Sequence, residues 1–134
     1  MVAKRPISLP ITNELDIVKA RQEVRSYAQS LGFSLVDQTR VTTAVSELVR
    51  NIVKYAVKGT LDLEMTEKGA RKGLRIVCRD EGPGIPDIEL AMKEGYTTGK
   101  GLGYGLPGAK RLVDQFEIWS EVGKGTRVTI IKWQ

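Results

Sequence analysis

Apolar and polar positions change period several times along the chain, and each change marks a predicted element. Residues 6–12 (Pro-Ile-Ser-Leu-Pro-Ile-Thr) alternate with period two, which predicts a strand. Its two prolines cannot donate to a ladder and so place it at a sheet edge. Asn13 with Asp16 signals a helix cap, and Ile17, Ala20, Val24, Tyr27 or Ala28, and Leu31 recur at helical spacing until Gly32. Ser34 with Asp37 opens a second helix, with Val41, Val45, Leu48, Ile52 and Ala56 on one apolar face. This helix is predicted to run to about Val57, before Lys58-Gly59 ends it. Residues 60–67 alternate like a half-buried strand, residues 69–73 form a charged turn, and residues 74–79 make a second, more buried strand; together they predict a hairpin. A short helix is expected over residues 86–93. Another opens at Pro107, where the missing N–H is harmless in a first turn. Residues 116–122 and 126–133 predict two strands around Gly123-Lys-Gly125, and residues 1–5 a frayed tail.

Helices and hairpins are grouped in this order rather than strictly alternating. That argues for an α+β fold, a two-layer α/β sandwich on a mixed, largely antiparallel sheet. At 134 residues the chain is read as one domain, 1–134, with no repeats and no internal linker. No apolar run approaches the ~18 residues of a membrane span and no signal-peptide layout opens the chain. The expectation is a soluble, cytoplasmic protein with no membrane association.

Composition narrows the chemistry. Histidine is absent, which removes Ser-His-Asp and Cys-His catalysis, imidazole–zinc sites and phosphohistidine chemistry together. The single cysteine, Cys78, sits in an apolar strand and reads as a small core hydrophobe in a reducing compartment. A net charge of +5 points to an anionic ligand or partner. The cations are scattered without interleaved aromatics, so no nucleic-acid partner is expected.

One stretch breaks the periodic pattern. Six of the 14 glycines fall within residues 95–108, with Lys100 between two of them, just before the Pro107 helix. Such a run gives close backbone approach and unhindered N–H donors, and a helix N-terminus after it favours an anion. It is not a P-loop, because three residues rather than four separate Gly95 from Gly99-Lys100 and no Ser or Thr follows the lysine. Gly103, Gly105 and Gly108 fit the dinucleotide spacing, but no strand precedes them and no acid stands about 20 residues on. Fixing backbone costs about 1–2 kcal/mol per residue, which predicts that residues 95–104 are mobile without a ligand. Two further features gain meaning only beside this loop. Thr43, Glu47, Asn51, Lys54 and Lys58 form a polar stripe opposite the apolar face of the second helix, by itself the wet side of an amphipathic helix. Asp80, an acceptor suited to an exocyclic amine, ends a strand just before Gly82-Pro-Gly84, where a ligand can approach the backbone.

In order, Glu47-Leu-Val-Arg-Asn51, Asp80-x-Gly-x-Gly84, Gly101-x-Gly-x-Gly105 and Gly125-Thr126 resemble the GHKL ATP-binding superfamily, which includes gyrase, Hsp90, MutL and the catalytic domains of histidine kinases. The glycine stretch and the helix after it look most like the serine kinases of bacterial partner-switching modules. The resemblance implies the Bergerat ATP-binding fold, ATP and Mg²⁺ as cofactors, and roles for individual residues. Glu47 would be the general base or orienting carboxylate. Asn51 would ligate Mg²⁺. Asp80 would read the adenine amine with help from Thr126, while Gly82, Gly84 and Ile85 would let the base lie against the backbone. Gly101, Gly103 and Gly105 would give N–H groups to the phosphates, with Thr98, Leu102 and Leu106 beside them. Lys54 and Tyr55 match positions that touch nucleotide in relatives. The basic lid residue of related anti-sigma kinases is replaced here by Gly99, and Lys100 is the candidate substitute. The activity implied is transfer of the ATP γ-phosphate to a serine of a STAS-domain protein, after which the free kinase binds and activates a phosphatase. The alternative is an anti-sigma factor that sequesters a sigma factor under ATP control.

Overall fold

A computed structural model describes residues 5–56, 58–93 and 105–134. The chain runs β1 (Ile7–Ile11), α1 (Glu14–Ser30), α2 (Leu35–Asn51), a π-helical turn (Ile52–Ala56), β2 (Gly59–Lys68), β3 (Arg71–Asp80), α3 (Ile88–Ala91), α4 (Leu106–Arg111), β4 (Gln115–Glu121) and β5 (Gly125–Trp133). The expectations on Thr98, Lys100, Gly101, Leu102 and Gly103, and on the mobility of residues 95–104, lie outside the described residues.

Both long helices start where their caps predict. Asn13 Oδ1 accepts from Asp16 N–H at 3.3 Å, and Asp16 Oδ2 accepts in return from the N–H groups of Thr12 at 2.8 Å and Asn13 at 3.2 Å. Ser34 Oγ accepts from Asp37 N–H at 3.1 Å. The two helices pack side by side on one face of a five-stranded sheet of order β1-β2-β3-β5-β4. β1 lies at the edge, as its prolines require.

All four pairings are antiparallel, so the mixed sheet allowed by the element order does not occur among the described strands. The reason is topological. After β3 the chain leaves the sheet and returns at the far edge as β4. It then turns back as β5 into the space beside β3, so strands running in the same direction are never neighbours.

One sheet face is covered by the helices, and among the described residues no helix lies on the other. Leu61, Leu63, Leu74, Ile76, Val128 and Ile130 point inward against Val24, Tyr27, Val41, Val45 and Leu48 of the helices. On the opposite face Arg79 pairs with Asp62 at 3.2 Å and Arg75 with Glu64 at 2.9 Å, while Arg127 stacks on the Trp119 ring. Cross-strand ion pairs of this kind suit a sheet that presents one face to water.

Candidate nucleotide-binding site

The inward face of the sheet ends in polar residues where the helices stop, and a small cavity opens there. Its helical wall is Leu48, Asn51, Ile52, Tyr55 and Ala56; its strand wall is Cys78, Asp80, Thr126 and Val128; Pro83, Gly84, Ile85 and Leu106 close it. Asn51, Tyr55, Asp80, Gly84, Ile85, Leu106 and Thr126, all named from the sequence, therefore meet in one space.

The regular helix ends at Asn51, earlier than its apolar period predicts, and the next five residues form the π-helical turn. A π-turn widens the spiral locally and is frequent at functional sites. Here it carries Ile52, Tyr55 and Ala56 onto the cavity wall and leaves Lys54 exposed, its Nζ 5.2 Å from the Tyr55 ring centre.

Asp80 closes β3 opposite Gly59 on one side and Thr126 on the other. Its Oδ1 accepts from Gly82 N–H at 2.9 Å. Burial pushes its pKa above the ordinary aspartate value, opposed by the backbone N–H groups of Gly82 and Thr126, which favour the ionised form. Cys78 lines the same wall. Burial, then the charges of Asp62 and Asp80, push its thiol up to about 12, so it stays protonated and behaves as the small hydrophobe expected.

The glycines of the loop after β3 answer to protein neighbours. A Cβ on Gly82 would stand 2.6 Å from Ala56 Cβ, and one on Gly84, where φ is +78°, would meet the Glu121 carbonyl. Gly105 precedes α4 in the left-handed region with φ +67°, and a Cβ there would strike Glu47 Oε2. Glu47 lies one turn before Asn51 on α2, with its other oxygen held by Arg50 at 3.1 Å. It stands beside the cavity, where the glycine stretch re-enters α4.

Ser120 was not legible as a site residue. Its hydroxyl accepts from Ile85 N–H at 2.7 Å, donates to the Gly125 carbonyl at 2.9 Å and lies 2.8 Å from Thr126 Oγ1. Its signal was parity: Phe116, Ile118 and Ser120 are the partly buried positions of an alternating strand, and a polar residue ends that row.

A helix-flanked antiparallel sheet with an Asn-bearing helix end, an Asp-Gly-x-Gly loop and a glycine-led helix around one cavity defines a nucleotide-binding kinase or ATPase domain. Residues 36–134 match the family described as histidine kinase-, DNA gyrase B-, and HSP90-like ATPase, and the chain belongs to that family. It is 53% identical over 123 residues to the serine/threonine-protein kinase RsbT of Bacillus subtilis strain 168, covering 92% of each chain. It is also 33% identical over 119 residues to the anti-sigma F factor of Clostridium kluyveri, covering 84% of this chain and 82% of that one. Among solved structures, the catalytic domain of the histidine kinase ThkA in a nucleotide-free form superposes with TM-score 0.51 at 16% identity, over 95% of this chain and 97% of that one. The histidine kinase domain of Erythrobacter litoralis EL346 gives TM-score 0.55 at 18% identity, over 87% of this chain and 60% of that one. These two likenesses concern the fold. The resemblance drawn from the four motifs is borne out, and the chain is an ATP-dependent serine/threonine kinase of the partner-switching kind.

Proposed function

We propose that this kinase transfers the γ-phosphoryl of ATP to a serine of a STAS-domain protein, with Glu47 as the base and the Asn51–Asp80–Thr126 cavity as the nucleotide seat. The observation that carries the reading is the placement of Glu47. Its carboxylate abuts Gly105 at the opening of α4, one helical turn from the cavity-lining Asn51. An acceptor beside the end of the glycine stretch would take the proton of a serine hydroxyl as its oxygen bonds to phosphorus and ADP leaves. Assistance of this kind contributes about 10²–10⁴ in rate. Asp80, with Thr126, would accept from the adenine amine, while Gly82, Gly84 and Ile85 would border the base and Lys54 and Tyr55 would touch the nucleotide.

Among the described residues no group of three or more His, Cys, Asp or Glu is arranged to hold a metal. A single neutral amide such as that of Asn51 suits Mg²⁺, which takes most of its ligands from water and nucleotide phosphates and would neutralise charge there. Residues 98–103 would contribute backbone N–H groups to the phosphates, and Lys100 a cation. No described helix is long and apolar enough to cross a membrane, and the reading needs no membrane or nucleic-acid partner.

Kinship with a partner-switching kinase supports the remainder. Phosphorylation of the STAS protein would release the kinase, and the free kinase would then bind and activate a phosphatase. Similarity to anti-sigma F factors supports a second reading, sequestration of a sigma factor under ATP control.

Intact-mass analysis of a STAS-domain protein incubated with this chain and Mg-ATP tests the proposal. One added phosphate with the wild type, and none with Asn51→Ala or Glu47→Gln, is the expected result. Tight ATP binding without any mass gain would instead favour the sigma-factor reading.

A further inference from the structure

Ser120 has no part in the reading above, yet its hydroxyl joins three pieces of the cavity wall. A serine hydroxyl has one proton and two lone pairs. The Ile85 amide, at 2.7 Å, fills one lone pair. The Gly125 carbonyl, at 2.9 Å, can only accept and so takes the proton. The 2.8 Å contact with Thr126 Oγ1 is then completed by the threonine's own proton, donated to the second lone pair. Thr126 is left with lone pairs and no proton for whatever enters the cavity. Its polar neighbour on the same wall, the Asp80 carboxylate, accepts from Gly82 and Thr126 N–H and is likewise an acceptor when ionised.

We propose that Ser120 is a positioning residue that fixes Thr126 as an acceptor and thereby makes the cavity select a purine with a 6-amino group over one with a 6-oxo group. The proposal rests on the reading that the base of ATP lies beside Asp80 and Thr126. A 6-amino group brings two protons to a wall of acceptors. A 6-oxo group brings lone pairs to the same strand wall, where the Thr126 proton is already committed to Ser120. Buried acceptors set against each other are left unsatisfied, which is the costly arrangement. Ser120 thus acts on the base through Thr126 rather than by touching it.

The experiment measures dissociation constants for Mg-ATP and Mg-ITP by calorimetry on the full chain. ITP carries the oxo group in place of the amino group and, as the lactam, a proton on N1. That second change is common to every variant, so the test reads the change in the ITP-to-ATP ratio between variants. Wild type and Ser120→Thr, which keeps the hydroxyl, are expected to share the same preference for ATP. Ser120→Ala frees the Thr126 proton to rotate toward a 6-oxo group, so the ITP-to-ATP ratio of dissociation constants should fall by about tenfold. In a Thr126→Val background the same substitution should leave the ratio unchanged, because no hydroxyl remains to turn. Ser120→Cys preserves volume with a weakly bonding thiol and should follow the alanine variant, which provides a reading if the latter fails to fold. Equal weakening of ATP and ITP by Ser120→Ala or Ser120→Cys would reduce Ser120 to a prop for the Ile85 loop and overturn the proposal. So would a ratio change of the same size in the Thr126→Val background. Failure of the underlying reading looks different: wild type would bind neither nucleotide, and the proposal would fall with it.

Discussion

Asp80 shows how one carboxylate can be costly for the apo fold and useful to a ligand. Burial raises its folded pKa, so the folded state loses stability as pH rises from the unfolded aspartate value through the raised one, and carries the full cost above it. Ionised, the same group offers lone pairs to an amine. Asp80→Asn should therefore leave the apo protein at least as stable at neutral pH while weakening ATP binding by about tenfold or more. In the wild type, ATP affinity should fall as pH drops through the carboxylate range, starting above the ordinary aspartate pKa of about 3.9. The asparagine variant should lack that fall. Paired thermal melts and binding titrations check both, and a destabilised Asp80→Asn apo protein would contradict the argument. Gly105 makes a complementary case. Its φ of +67° and its contact with Glu47 Oε2 leave no room for a methyl group. Gly105→Ala should cost about 1–2 kcal/mol from the backbone alone. Displacing Glu47 should further slow phosphoryl transfer by about tenfold or more, measured as single-turnover rate. The motifs made these residues legible because each carries its own spacing. Ser120 has no such signal: its bond partner Ile85 lies 35 positions away, and only the fold brings the two together.

Elements were legible wherever one period held from end to end. Both hairpins, the edge strand and the two capped helices fall close to where the alternation and caps place them. The Ser34 cap can be tested directly. Ser34→Ala removes the acceptor for Asp37 N–H and should lower the unfolding free energy by about 1 kcal/mol in a denaturant titration, with an unchanged m-value. A loss near zero would mean that packing, not capping, sets the start of α2. The end of α2 was not legible. Apolar periodicity runs through Ile52 and Ala56 as if the helix were uniform, but a π-turn shifts phase by about one residue and leaves no compositional mark. What the turn does is visible only in the tertiary structure: it sets Ala56 against Gly82, where the helix end meets the loop that follows β3.

At the scale of the molecule, two layers must keep their register for the cavity between their ends to exist, and a buried cation helps hold it. Lys132, 7% exposed on β5, places its Nζ 3.4 Å from Asp37 at the start of α2 and 3.2 Å from Asp114 just before β4, and donates to the Trp133 carbonyl at 3.2 Å. Asp114 also accepts from Trp133 N–H, at 2.6 Å. In the sequence Lys132 is simply part of the strand predicted over residues 126–133, because nothing local announces that its inward parity meets two carboxylates from other elements. Lys132→Ala would strand those carboxylates and remove the buried stem, with an expected loss of about 1–3 kcal/mol given that both partners keep some solvent. Lys132→Met retains the stem and removes only the charge, so the difference between the two variants separates packing from pairing. The clamp sits at the end of the sheet away from Asp80, so ATP affinity of the folded protein should be unchanged in either variant. A methionine variant as stable as wild type would mean that the ion triad confers geometry at no net stability; an affinity loss without a stability loss would mean that the layers shift at the cavity when the clamp is cut.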